Sequence, residues 1–141
     1  MLPEKIKRLL EKYKAQGQAQ YFDGAIEEQI VSFEKANHVS LPAEYKEWLM
    51  YSDGGYLFLP AGIQLYGVAH KPVIKMDDEN KPNDTYIVIG SLATGDPILC
   101  ETTGTKISIY NHEAGRIEPD ETYPDFYSFI GDLNGILGLE G

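Results

Sequence analysis

Cysteine is nearly absent from this chain of 141 residues. Cys100 stands alone, so neither an internal disulfide nor a cysteine-based zinc framework can form. It lies in the apolar run Pro97-Ile98-Leu99-Cys100, where a buried structural thiol is expected. A nucleophilic cysteine needs a neighbouring base and some exposure, and the sequence suggests neither. Long apolar runs are missing too: none approaches the ~18 residues that span a bilayer. Charges at Glu4, Lys5 and Lys7 interrupt the start too early for the apolar core of an export signal. A cytoplasmic protein with no membrane association is therefore expected. Histidine is sparse, and His38, His70 and His112 lie far apart, outside any H-x-x-x-H or H-E-x-x-H pattern. Each reads as a surface or turn residue. There is no G-x-S-x-G elbow. Gly54-Gly55 follows a helical pattern and precedes a strand, the reverse of a phosphate-binding loop. Asp77-Asp78-Glu79 lacks the ligand spacing of a calcium loop. No cofactor, no metal and no catalytic group is expected, so the chain does not read as an enzyme.

Basic charge is the scarcest commodity. Lys and Arg number 12 against 22 Asp and Glu, giving a net charge of −10. Direct nucleic-acid binding is disfavoured, because phosphates repel such a surface. The imbalance is local. Residues 1–76 carry nine acidic and nine basic side chains, whereas residues 77–141 carry thirteen acidic ones against Lys81, Lys106 and Arg116. The second part holds the whole excess. Such a surface aids solubility and steers a basic partner during encounter.

The hydrophobic fraction, 43%, is ordinary for a folded protein. The length suits one domain over residues 1–141. Ile6, Leu9, Leu10 and Tyr13 fall on one helical stripe and predict a helix over 3–16, ended by Gly17. A second helix is predicted over 24–36, capped by Asp23 or Gly24, with Ile26, Ile30 and Phe33 on its inner face. A third starts at Pro42, turns Tyr45, Trp48 and Leu49 inward and stops at Asp53-Gly54-Gly55. Strands are predicted at 56–59, 63–66, 86–89, 98–101 and 106–110. A polar loop covers 77–84 and a turn-like triplet 60–62. Ile107 and Ile109 alternate with Lys106, Ser108 and Tyr110, the pattern of a half-buried antiparallel strand. A closing helix over 123–133 carries Phe126, Phe129, Ile130 and Leu133. Helices, then strands, then a helix indicate an α+β fold with a central, mainly antiparallel twisted sheet. Ten tyrosines serve the core and sheet, with a few available to a binding surface.

The order Glu27, Ile30, Phe33, Glu34, then Leu41-Pro42, Tyr45-Lys46, Leu49 and Asp53-Gly54-Gly55 resembles the SUKH superfamily. The branch is the one named for a fungal cell-wall-assembly regulator that affects glucan synthase. Ile63 to Gly67, Ile87 to Gly90 and Gly95-Asp96 with Ile98 resemble its strand motifs, and Phe126 to Leu133 its last helix. Asp53 stands where Asn is more usual. The resemblance implies N-terminal helices and a C-terminal helix beside the sheet. It also implies an immunity-type protein that binds a cognate toxin, often a nuclease, or an intracellular regulatory scaffold that binds a host protein. It brings no catalytic residues.

Nucleases present basic clefts to phosphate, so the expected partner is a basic toxin domain occluded by an acidic surface. The candidate contacts are Asp77, Asp78, Glu79, Asp84, Asp96, Glu101, Glu113, Asp120 and Glu121, chosen by charge and expected exposure. A small-ligand pocket under Trp48 or the tyrosines is the third alternative.

Overall fold

The computed structural model describes residues 2–57, 62–69, 73–74, 85–102, 104–111 and 113–132. The predicted apolar stripes become the buried faces of four helices. Helix α1 (Glu4–Ala15) buries Ile6, Leu10 and Tyr13; α2 (Glu27–Asn37) buries Ile30 and Phe33. Helix α3 (Ala43–Tyr51) buries Tyr45, Trp48 and Leu49, and α4 (Phe126–Gly131) buries Phe126, Phe129 and Ile130. These stripes lie on one face of a seven-stranded sheet, where they meet Leu57, Ile63, Leu65, Ile87, Ile98, Cys100, Ile107 and Ile109.

The strands are β1 (Ala19–Tyr21), β2 (Gly55–Leu57), β3 (Ile63–Leu65), β4 (Tyr86–Leu92), β5 (Pro97–Glu101), β6 (Ile107–Asn111) and β7 (Arg116–Tyr123). They lie in chain order, and every neighbouring pair is antiparallel. Such a meander reverses at each step. The β2–β3, β4–β5 and β6–β7 connections therefore share one end of the sheet. The end of β1, the start of β2, the β3–β4 connection and the β5–β6 hairpin share the other. That second end also receives Asp23, the start of α2 and the start of α4.

Tyr45, Trp48 and Phe126 join the helical layer. Phe126 lies 5.0 Å from Tyr45 and 6.2 Å from Trp48 between ring centroids, and Tyr21 meets Trp48 edge-on at 5.9 Å. Edge-on aromatic pairs add about 0.5–1.5 kcal/mol beyond the area they bury. Trp48 is fully buried and its indole Nε1 has no partner. Rings of Tyr21, Tyr51 and Phe126 pack against Trp48.

Several expectations are corrected. Helix α2 begins at Glu27, later than 24, because residues 22–25 dock on the end of α3. Ala25 N–H donates to the Leu49 carbonyl at 2.8 Å, and a Cβ on Gly24 would stand 1.9 Å from the Met50 oxygen. Neither Asp23 nor Gly24 caps the helix: Ile26 sits at the N-cap, and the Gln29 side chain accepts its N–H at 3.0 Å. Pro42 is the residue before α3, not its first helical one. Extended Ser52 ends α3, and Gly54 at φ +88° turns the chain toward β2. Two strands escaped the sequence. β1 has three residues, too few to show a period. β7 holds Pro119 and three acidic residues, a composition poor in strand formers. Its edge position tolerates proline. Ser108 is only 3% exposed, and its cross-strand neighbours Leu99 and Val88 are as buried, so the sheet's centre is shielded on both faces. The triplet 60–62 is described only at Gly62, and the loop 77–84 and Leu133 lie outside the described residues.

Burial dictates the ionisation of this layer. It pushes the Cys100 thiol up to about 12, with nearby Glu101 adding to the effect. It also raises the Tyr45 and Tyr21 hydroxyls above their ordinary value of 10.0. A folded-state value raised above the unfolded one means stability present below the unfolded value and lost as pH rises past it. Stability is thus expected to hold from pH 7 to about 9 and to fall steadily above about 10. Urea midpoints across that range check it; a flat profile to pH 11 would contradict the burial. Cys100 is expected to resist a thiol reagent in the native protein and to react stoichiometrically in denaturant.

Candidate functional site

The segments that match the motif pattern meet at one corner, and polar side chains tie them. Glu34, near the end of α2, accepts the Leu41 N–H at 2.7 Å and pairs with Lys46 of α3 at 3.4 Å. One carboxylate thereby fixes the link between two helices. Tyr45 is fully buried, and its hydroxyl donates to the Tyr66 carbonyl at 2.6 Å and approaches the Ile89 carbonyl at 3.3 Å. It anchors α3 to the crossing from β3 to β4.

Asp53 follows α3 and is fully buried. Its Oδ1 accepts Val68 N–H at 2.7 Å and its Oδ2 accepts Ala69 N–H at 2.9 Å. Its own N–H donates to the Asp23 carbonyl at 3.2 Å. A Cβ on Gly67 would stand 2.5 Å from Oδ1, so glycine there leaves room for the carboxylate. Ser52 accepts Phe22 N–H at 2.9 Å and donates to the Gly54 carbonyl. A buried carboxylate is tolerable only with such donors. On α4, Asp125 accepts Ser128 N–H at 2.8 Å as an N-cap. Glu44 of α3 accepts Tyr127 N–H at 2.9 Å, and the Tyr127 hydroxyl donates to Glu47 at 2.6 Å.

The acidic candidates that are described lie on different elements. Asp77, Asp78, Glu79 and Asp84 lie outside the described residues. Asp96 is in the β4–β5 turn, half-buried, and Glu113 is exposed in the β6–β7 turn at the same end of the sheet. Glu101 is at the other end, where its Oε1 accepts Lys106 N–H at 3.2 Å and closes the β5–β6 hairpin. Asp120 and Glu121 belong to β7, across a stretch where five steps on β7 match two on β6. Asp96 and Glu113 thus lie at one end of the sheet and Glu101 at the other.

His38 is exposed and holds the left-handed conformation that ends α2, φ 53°; His70 and His112 lie outside the described residues. Among the described residues no group of three or more His, Cys, Asp or Glu stands ready for a metal. No described helix is long and apolar enough to cross a membrane.

The sequence reading missed one feature. Ile26 was expected on the inner face of its helix, yet it is 58% exposed, and Val31 of α2 is 37% exposed. The later start of α2 is the cause: Ile30 and Phe33 keep the inner stripe, and Ile26 is left outside. Two shallow, solvent-open depressions adjoin along this side of α2. They share Ile26, Glu28 and Ser32, and the second reaches Val68 and Ala69.

A helical layer on an antiparallel meander, joined by buried polar anchors, defines an α+β domain. Residues 24–132 match the SMI1 / KNR4 family (SUKH-1), and the chain belongs to that family. No curated protein matches it. Membership supports an immunity- or regulatory-type domain in general, and the family's domains are generally non-catalytic protein binders.

The anchoring account makes a prediction. Each hydrogen bond to a charged group contributes about 1.5–3 kcal/mol, so Asp53→Ala is expected to lower unfolding stability by roughly 3 kcal/mol or more. Asp53→Asn, which keeps one acceptor oxygen, should lose about half of that. Urea denaturation measures both; an unchanged midpoint in Asp53→Ala would sink the account.

Proposed function

We propose that this chain is a non-catalytic, cytoplasmic immunity-type domain that binds and neutralises a cognate toxin carrying a basic surface, such as a nuclease. The observation that carries the reading is the family match over residues 24–132. The charge supports it: the net −10 resides wholly in residues 77–141. Inhibition on this reading is occlusion. An acidic domain seats itself over the cleft that draws in phosphate and keeps substrate out.

The acidic candidates take the part of steering groups. Asp77, Asp78, Glu79, Asp84, Asp96, Glu101, Glu113, Asp120 and Glu121 act through their summed field, which does not need one contiguous patch. Asp96 and Glu113 at one end of the sheet and Glu101 at the other are compatible with that role. A second reading, a regulatory scaffold for a host protein, is favoured by the branch of the family matched. A toxin gene directly beside the chain's own gene separates the two.

The test is co-expression with that neighbouring toxin. Growth rescue is expected, with association that slows steeply as salt rises. Charge reversal of Asp96, Glu101 and Glu113 together should cut the association rate at low salt by about tenfold, within the range of electrostatic steering. Rescue and salt dependence unchanged by the triple reversal would remove the steering role. Failure of the wild-type chain to rescue growth would remove the toxin-neutralising reading.

A further inference from the structure

We infer that the groove beside α2 receives an apolar side chain from a basic protein segment, an inference that rests on the protein-binding reading above. Singly exposed apolar residues are normal. Ile26 and Val31 differ from that background in three ways.

First, they line one continuous depression. The hollow bounded by Ile26, Glu27, Glu28, Val31 and Ser32 continues into the one that reaches Val68 and Ala69. Its floor is rigid, because Val68 and Ala69 donate their N–H groups to buried Asp53. A preformed floor loses little entropy when a partner docks.

Second, Ile26 is unfavourable for its own position. An N-cap favours Ser, Thr, Asp or Asn by about 0.5–2 kcal/mol over an apolar residue. Isoleucine therefore gives up local stability and also exposes 58% of its surface. Departures from local preference that bring no gain in packing are expected at functional positions.

Third, the surroundings select the occupant. Glu27 and Glu28 are exposed on the groove's wall. The groove is at the end of the sheet that also carries Asp23, Glu101 and Asp125, where Lys106 is the basic residue of the β5–β6 hairpin. An anionic membrane or a second copy of this acidic end would meet like charge. A segment with an aliphatic side chain flanked by Lys or Arg meets both the apolar floor and the carboxylate rim. The acidic residues speed encounter, and Ile26 with Val31 provides the short-range anchor.

The experiment needs no toxin. The isotope-labelled full chain is titrated by NMR with a Lys/Leu amphipathic peptide and with its Glu/Leu counterpart. Saturable shifts are expected at amides 26–32 and 68–69 with the Lys/Leu peptide alone. The double variant Ile26→Ser, Val31→Gln is expected to weaken binding about tenfold, equivalent to about 1.4 kcal/mol. Serine is a good N-cap and glutamine a good helix former, so this variant should keep its fold and melting temperature. Glu27→Gln with Glu28→Gln should weaken binding at low salt and flatten its salt dependence. Absence of Lys/Leu binding, equal binding of the Glu/Leu peptide, or affinity unchanged in the Ile26→Ser, Val31→Gln variant would overturn the inference. Because growth rescue and peptide binding are read separately, failure of one leaves the other standing.

Discussion

Asp53 is the constraint on which the rest of the structure depends. It stands where the helical part of the chain gives way to the sheet. Its carboxylate holds Val68 and Ala69 beyond β3, and its N–H holds Asp23 before α2. Three segments far apart in sequence thus meet on one residue. The charge is out of water, so its donors must be in place or the corner is strongly destabilised. That requirement makes the corner all-or-none: the loop after β3, the segment 22–25 and the end of α3 assemble together. Tyr45 and Glu34 repeat the device nearby. In each case a buried or half-buried polar atom satisfies a backbone group that neither helix nor sheet would satisfy.

Much of the architecture was legible in the sequence because its signals are periodic. The stripes of α1, α3 and α4, the apolar run of β5 and the alternation in β6 are local patterns, and local patterns survive folding. What was not legible depends on partners far along the chain. β1 exists because β2 lies beside it; Ala19-Gln20-Tyr21 has no strand signal of its own. Ile26 looked inward because the spacing 26, 30, 33 is helical. The docking of Gly24 and Ala25 on α3 delays the helix and turns Ile26 outward. Ser108 looked solvated for the same kind of reason, since alternation says which face a residue takes and nothing about what covers that face.

The candidate site divides along a similar line. Charge was legible as a sum and as a segment, and the count placed the excess in residues 77–141 correctly by definition. Its arrangement was not, because each turn of a meander goes to the opposite end from the last. Asp96 and Glu113 are thereby separated from Glu101, although they follow one another within a short stretch of chain. Glu101 adds a second lesson: its carboxylate accepts the Lys106 N–H, so an acid chosen for its charge also shapes a hairpin.

These observations separate two roles that a list of motif residues would merge. Glu34, Tyr45, Asp53 and Gly67 are directed into joints, where substitution acts on stability. Ile26, Val31, Glu27 and Glu28 are directed outward from α2, where substitution acts on recognition. The two sets meet in one place, the wall formed by Val68 and Ala69. Their N–H groups are committed to Asp53, while their side chains line the groove. Loosening Asp53 would therefore disturb the groove together with the corner, because Val68 and Ala69 are held by the same carboxylate. Stability and recognition are thus coupled through that loop.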